Sequence, residues 1–586
     1  MKAVSYILLL QFTFSSLLAQ QFYLRGEVKD ETGFLLQNVK IVLQSSGFVY
    51  RTGNYGSFGI SSAKQFDTLF FSLDGYISEK LAVKAGVYFN MVLERKPVAS
   101  TNIKKDKLLS LTKNVEGKEF RNWIPVEETY ASLIENSFVK TENYPSTGIA
   151  LNVDRASYSN VRRFINLGMA VPPDAVRIEE MLNNFNFDYQ APDLNSLFKI
   201  KATTTTCPWN AESQLLFLNI FSKQVDFDTL PSAHLIFLID VSGSMDMPNR
   251  LPLIQSAFKN LVAQLREKDT VSIVVYGGAT GVLLLPTGGC EKQKINKIID
   301  ELSPGGSTPG ASGIRLAYTL AKNYFIEGGN NRIIMATDGD FNVGLKTEKE
   351  LEELIMQHRE NGIYLTALGV GMGNYKDSRI QMLARTGNGN FAYLDNYYEA
   401  DKILLKEFAQ TLYTVADDVF MTLQFNPSIV SAYRLIGFDN KAAAMVDSLS
   451  IIDGGEIGSG YSLTIAFEIQ TNSSIDQKKI AEDLFQVKLN YHIPMDTVRK
   501  ELNMNFKYDL IPFAKLNANY RLATAVIMFG SLLKSSEYIK EATWGDVLFQ
   551  ASEAANPTDL NQSQFVELVY KARALYGKIK KKKRAS

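Results

Sequence analysis

From residue 232 to residue 402 the chain alternates apolar runs with stretches whose apolar positions recur at helical spacing. His234 to Ile239, Thr270 to Tyr276, Arg332 to Ala336 and Ile363 to Val370 predict buried strands, and Leu251 to Arg266, Gly310 to Tyr324, Thr347 to Asn361 and Ser378 to Thr386 predict helices. Strand and helix in strict alternation imply a mainly parallel, doubly wound α/β sheet of Rossmann-like type. In such sheets ligands bind beyond the carboxyl ends of the strands.

No other segment has this rhythm. Residues 20–95 show short alternating segments (Tyr23 to Val28, Val39 to Leu43, Thr68 to Leu73) between turn signals such as Glu31-Thr32-Gly33, which predicts an all-β sandwich. Residues 96–128 are polar and Lys-rich without a sustained period and read as a linker. Residues 129–231 carry helix candidates at Ser157 to Leu167 and, after Pro172-Pro173, at Asp174 to Phe185, then a strand at Leu215 to Phe221. Residues 403–586 return to strands at Val419 to Phe425, Tyr461 to Glu468 and Phe485 to Tyr491, and end in helices at Asn519 to Leu533 and Gln564 to Leu575, a mixed α and β module.

Residues 1–19 read as a secretory signal: Lys2, an apolar region opening at Ile7 to Leu10, and Leu17-Leu18-Ala19 as a small-residue cleavage site. The expectation is export, to the periplasm, the outer-membrane surface or the cell surface. Past residue 30 no run of about 18 apolar residues follows. The 586 residues hold 62 basic and 62 acidic side chains, so net charge offers nothing to nucleic acid. Cys207 and Cys290 are the only cysteines, too few for a disulfide scaffold or a thiolate zinc cage, and spacing leaves open whether they pair. With three His, none beside a Ser or Cys in a nucleophile elbow, a hydrolytic triad has no support. Gly305-Gly306-Ser307 and Gly369-Val370-Gly371 lack the Lys-Ser or Lys-Thr of a phosphate loop. We expect no enzyme activity.

The run Leu235 to Ile239 delivers Asp240-Val241-Ser242-Gly243-Ser244 into the loop at its carboxyl end. Alternate positions in a near-extended loop point one carboxylate and two hydroxyls the same way. Asp338 follows the strand ending at Thr337, and Thr308 sits in the loop Gly305 to Gly310. Two acids and three hydroxyls are hard oxygen donors, suited to Mg²⁺, or to Mn²⁺ or Ca²⁺, and unsuited to zinc. Two carboxylates offset a dication and leave coordination open to an incoming Asp or Glu. Asp340 is either an acceptor behind the ligands or a solvated loop acid.

Asp240, Ser242, Ser244, Thr308 and Asp338 match, without substitution, the metal-ion-dependent adhesion site of von Willebrand factor type A domains. The flanks Val153-Asp154-Arg155-Ala156-Ser157-Tyr158-Ser159-Asn160-Val161-Arg162-Arg163-Phe164, Pro172 to Met181, Ala336 to Gly344 and Gly454-Gly455-Glu456-Ile457-Gly458-Ser459-Gly460 resemble the bacterial YfbK type over roughly residues 130–580. That pattern commonly has His after the last of these runs; here it is Tyr461. Gly26 to Asp30, Gly53 to Phe58 and Asp74-Gly75-Tyr76 resemble carboxypeptidase regulatory-like modules. The resemblance implies a multidomain binding protein of the envelope or surface whose metal captures an acidic side chain of a protein partner. A structural scaffold with a vestigial or purely stabilising metal site is the alternative. An accessory role in a chelatase-like machine would need a separate motor, since this chain has no ATPase motif. The tail Lys578 to Arg584 reads as a solvated Lys cluster with a possible weak contact to an anionic surface.

Overall fold

The computed structural model describes residues 22–94, 128–151, 154–438 and 454–585, apart from 32, 34, 54–55, 74–75, 132–134, 188, 278–279, 307–309, 340–347, 373–374, 473–481, 495, 497 and 540. The predicted leader, the linker up to residue 127, Thr308 and Asp340 lie outside the described residues. Residues 1–106 and 107–586 are two compact units.

In the first unit, β1 (Phe22–Asp30), β2 (Lys40–Leu43), β3 (Val49–Arg51), β4 (Ser57–Ser62), β5 (Phe66–Ser72), β6 (Glu79–Lys84) and β7 (Tyr88–Leu93) form two sheets, ordered β4-β1-β7 and β3-β2-β5-β6. Period-two burial explains them: in β4, Phe58, Ile60 and Ser62 point inward while Ser57, Gly59 and Ser61 face solvent. Leu24, Val28, Ile41, Ile60, Leu69 and Phe71 belong to one core shared by both sheets, as a sandwich requires.

The second unit opens with β8 (Val139–Lys140), β9 (Ser146–Ala150), α1 (Ala156–Asn166), α2 (Ile178–Leu182), β10 (Phe198–Thr206) and β11 (Gln214–Ser222). The doubly wound segment follows as β12 (Ala233–Asp240), α3 (Leu251–Gln264), β13 (Thr270–Tyr276), β14 (Gly281–Gly288), α4 (Lys292–Asp300), α5 (Gly310–Asn323), β15 (Asn330–Thr337), α6 (Glu348–Arg359), β16 (Ile363–Val370), α7 (Asp377–Thr386), β17 (Phe391–Leu394) and α8 (Tyr397–Asp401). Its sheet runs β14-β13-β12-β15-β16-β17, parallel except for the antiparallel edge strand β14. β12 lies inside this order, so both its faces are covered and every residue of it is buried. Phe237 and Phe258 stack on one face, within a core that α3 and α4 share; Ile236 and Leu238 meet Ile314 and Tyr318 of α5 on the other.

The chain then continues through α9 (Phe408–Leu412), β18 (Thr414–Phe425), β19 (Val430–Ile436), β20 (Gly455–Gly458), β21 (Ser462–Thr471), β22 (Asp483–His492), β23 (Lys500–Lys507), β24 (Leu510–Ile511), α10 (Ala518–Lys534), α11 (Trp544–Ala554) and α12 (Leu560–Ala585). Sequence separates 129–231 from 403–586, but their strands share sheets. One is ordered β24-β10-β11-β21-β19-β8; the other is β20-β18-β22-β23, with β9 also paired to β18. Leu216 and Leu218 of β11, Met421 and Leu423 of β18, and Leu463 and Ile465 of β21 fill a common core. The reason is the long-range ladder: β11 and β21 pair antiparallel from Gln214–Ile469 to Phe221–Ser462, a register no local pattern announces. Helices α1, α2, α10, α11 and α12 contribute to a separate core with Leu215, Phe217 and Ala466.

The helix expected from Asp174 to Phe185 is broken. Pro173–Ala175 form one 3₁₀ turn, Val176 and Arg177 are extended (φ −96° and −107°), and the helix covers only Ile178–Leu182. The Arg177 backbone N–H donates to Ser157 Oγ at 2.8 Å, and its guanidinium reaches Asp377, so tertiary bonds outcompete the local helical pattern. Cys207 is buried, Cys290 is exposed, and both are free. Among the described residues no helix is long and apolar enough to cross a membrane.

Candidate metal centre

The parallel register of β12 with β13 and β15 brings Asp240 level with Tyr276 and sets Ile239 beside Ala336, so the chain leaves all three strands at one edge. Asp240 is the last residue of β12 and fully buried. Its Oδ1 accepts the Ser242 backbone N–H at 2.9 Å and its Oδ2 accepts the Thr337 hydroxyl at 3.1 Å. A 3₁₀ turn at Gly243–Met245 then folds the loop back, so that the Ser242 and Ser244 hydroxyls lie 2.9 Å apart. Both serines are half-buried and Gly243 is exposed, while Asp338 is only 3% exposed; the site therefore opens to solvent on its hydroxyl side, with carboxylates beneath.

Burial pushes the Asp240 carboxyl up to about 6; bonds from Ser242 oppose the rise and the nearby Asp338 charge adds to it. Two acids so placed favour a cation between them. Among the described residues no three His, Cys, Asp or Glu side chains group as a metal site. The donor set here is instead two carboxylates and two converging hydroxyls, chemistry that fits Mg²⁺ or another hard dication. The loop that carries Thr308 is tied alongside: the Gly305 N–H donates to Val241 O at 2.7 Å and the Gly243 N–H to Gly306 O at 3.2 Å. Of the five sequence-predicted ligands, the structure thus brings Asp240, Ser242, Ser244 and Asp338 to one strand edge, and Thr308 lies outside the described residues.

Three neighbours escape sequence reasoning. Thr337 holds Asp240, as above. Tyr276 packs its phenol against Asp240 and Thr337, and burial pushes that phenol well up. Arg250 donates from Nη1 to Asp338 Oδ2 at 2.7 Å and to Ser244 O at 2.5 Å, and from Nη2 to Met372 O at 2.7 Å. No spacing rule links residue 250 to residue 338; only the fold does.

The flanking motifs explain themselves as a buried bracket on the same sheet. Arg162 of α1 binds Asp395 at 2.5 Å and Glu399 at 2.7 Å. Arg163 binds Glu128 at 2.8 Å and donates to Gly371 O at 3.3 Å, and the Tyr393 hydroxyl donates to that same carbonyl. Arg177 pairs with Glu180 and with Asp377 of α7, and Asp154 accepts from Gln381 at 3.0 Å and from the Phe391 N–H at 3.1 Å. Tyr461 accepts from Arg155 Nε at 3.0 Å, with the guanidinium carbon 4.5 Å above its ring. Arg155, Phe391, Glu407, Gln410 and Tyr461 line a narrow cleft.

Comparison with known proteins matches three successive stretches of the chain. The family described as von Willebrand factor type A domain matches residues 234–409, that described as von Willebrand factor matches 125–217, and that described as Uncharacterized protein YfbK, C-terminal, matches 410–575. Uncharacterized protein YfbK of Escherichia coli (strain K12) is 37% identical over 465 residues, covering 76% of this chain and 81% of the relative. The magnesium-chelatase 60 kDa subunit of Cereibacter sphaeroides is 29% identical over 157 residues, 26% of this chain and 28% of that protein. A solved von Willebrand factor type A protein from Catenulispora acidiphila superposes with a TM-score of 0.41 at 14% identity, over 66% of this chain and 91% of its own.

Proposed function

We propose, for a chain that belongs to the YfbK family of proteins with a von Willebrand factor type A domain, that Asp240, Ser242, Ser244, Thr308 and Asp338 hold a divalent cation which captures an acidic side chain of a protein partner. The observation that carries this reading is the pair of serine hydroxyls 2.9 Å apart above the buried Asp240 at the carboxyl edge of a parallel sheet. A cation there would polarise and bind a carboxylate arriving from solvent; the residues beneath would set its place and balance its charge. Nothing in this arrangement provides a nucleophile poised beside a base, so the reading is binding rather than catalysis. The apolar stretch at Ile7 to Leu10 supports an exported location, in the periplasm, at the outer membrane or on the cell surface.

Titration calorimetry of the full chain with Mg²⁺ and with Mn²⁺ tests the site. Saturable binding in the wild type and its loss in Asp240→Ala is the expected result; no heat and no thermal shift in either protein would refute it. A crosslinking pull-down from the native envelope in Mg²⁺, repeated with chelator, tests the use of the metal.

A scaffold whose metal site is vestigial is the second reading. It draws on the Arg250–Asp338 ion pair, which satisfies one of the two acids with protein alone. Partner capture that survives both chelation and Asp338→Ala decides for the scaffold.

A further inference from the structure

Arg250 is built into the candidate site rather than draped over it. Its guanidinium bridges Ser244 O, Asp338 Oδ2 and Met372 O, three loops in one grip, and its side chain is 10% exposed. Gly371 is shaped around it: at φ +80° a Cβ there would stand 2.5 Å from Arg250 Nε. A guanidinium so enclosed is a fixed positive charge on one of the two carboxylates that would hold the cation.

Asp240, Asp338 and Arg250 together leave one negative charge without metal, and one positive charge once a dication is bound. That surplus is what an incoming carboxylate would neutralise.

We infer that Arg250 is an internal cation opposing metal loading, so that the site binds a dication weakly by itself and tightly only when an acidic ligand completes it. This rests on the metal reading given above. Loading by metal alone requires the dication to share Asp338 with the guanidinium or to displace it, and the fraction of molecules in which Asp338 is available sets the apparent affinity. Arg250 is thus a positioning residue acting through Asp338.

Mn²⁺ binding to the full chain, read by loss of the free-ion electron paramagnetic resonance signal, provides the test. In Arg250→Gln the affinity for Mn²⁺ should tighten by roughly tenfold, whereas Arg250→Lys, which keeps the charge, should stay within about threefold of wild type. Acetate should tighten Mn²⁺ binding to the wild type and to the Lys variant but leave the Gln variant unmoved. If Arg250→Gln proves unfolded by circular dichroism, Arg250→Met, which keeps the aliphatic stem against Gly371, serves in its place. Wild-type binding with equal or weaker affinity in the neutral variant overturns the role of Arg250 and leaves the metal reading standing. Absence of Mn²⁺ binding in wild type and neutral variant alike removes the metal reading, and this inference with it. Binding confined to the neutral variant supports the inference in its strongest form.

Discussion

Arg177→Met asks whether the flanking segments and the type A sheet are one energetic body. The Arg177 side chain is 2% exposed, between Glu180 at 3% and Asp377 at 0%. Glu180 also accepts the Ser157 N–H at 2.9 Å and Gln381 Nε2 at 3.2 Å, so its carboxyl ties α1, α2 and α7 together. Burial pushes Glu180 up to about 7 even with Arg177 pulling it down. Without the guanidinium Glu180 takes a proton at neutral pH, but Asp377 loses its guanidinium partner. Removing one partner of a buried pair costs about 3–5 kcal/mol, a large share of the roughly 5–15 kcal/mol by which domains are stable. Urea unfolding reads it out by two probes. Of the three Trp, Trp209 and Trp544 lie in or against the core shared by the flanking helices, Trp123 lies outside the described residues, and the type A segment 232–402 has none. Fluorescence therefore follows the flank and not the type A segment, while the helical band of the far-ultraviolet circular dichroism follows the helices of both parts, the described elements of the first unit being all β. The wild-type curves should coincide, and in Arg177→Met the fluorescence midpoint should fall first. Adding Glu180→Gln and Asp377→Asn should recover more than half of the loss, since no uncompensated charge remains. A cost below about 1 kcal/mol, the range of an exposed ion pair, would refute the reasoning.

Three further outcomes are expected. Burial raises Asp417 to about 6 and Glu456 well above its usual range, so the folded chain retains protons that the unfolded chain releases; stability from these groups grows as pH falls through 6 toward 4. Asp417→Asn should remove about 2 kcal/mol of the rise between pH 7.5 and 4.5, measured as urea midpoints at pH 7.5, 6 and 4.5, and an unchanged slope would count against it. Gly277 has φ +113°, and a Cβ there would lie 2.2 Å from Ser242 N. Gly277→Ala should cost about 2 kcal/mol or more and loosen Mn²⁺ binding, whereas Gly305→Ala, with no atom within 4 Å of its Cβ, should stay within about 0.5 kcal/mol. Thr543 and Asp546 form a capping box on α11, so Thr543→Ala should lower stability by about 1 kcal/mol in thermal melts, without touching metal affinity.

What was legible in the sequence followed from local physics. Apolar runs such as Leu235 to Ile239 must be buried on both faces, which fixes the parallel sheet and puts Asp240 at its carboxyl edge. Asp338 was legible for the same reason, one strand over. The edge strand β14 was not, because only Leu284 and Thr287 of its eight residues are buried and its register with β13 slips. Nor was β17, four residues long. Arg250 could not be paired with Asp338, nor Arg162 with Asp395, because charge partners separated by 88 and 233 positions leave no periodic trace. The motif Asp154 to Phe164 is visible as a string, but its meaning is tertiary: Asp154, Ser159 and Arg162 contact the far edge of the type A sheet, while Arg155, Ser157 and Asn160 bond to the flanks.

The topology says how the candidate site is held. The chain enters the type A segment from β11 and leaves it into β18; each is an interior strand, of different sheets that share one core. Both ends of the segment are therefore anchored in that sandwich, and its β17 edge is clamped by the buried pairs of Arg162 with Asp395 and Glu399 and by the Ser159 hydroxyl on Tyr393 O. The clamp reaches the site itself, because Arg163 and Tyr393 hold the carbonyl of Gly371 while Arg250 holds that of Met372 next to it. Loops bound this way lose little further freedom when a ligand arrives, and the entropy of ordering them is already met in folding. On the metal-site reading the flanks would act by rigidity, not by contact: Arg250 ties Ser244, Asp338 and Met372 together from within the type A segment, and Arg163 adds a hold on the neighbouring Gly371 carbonyl from outside it.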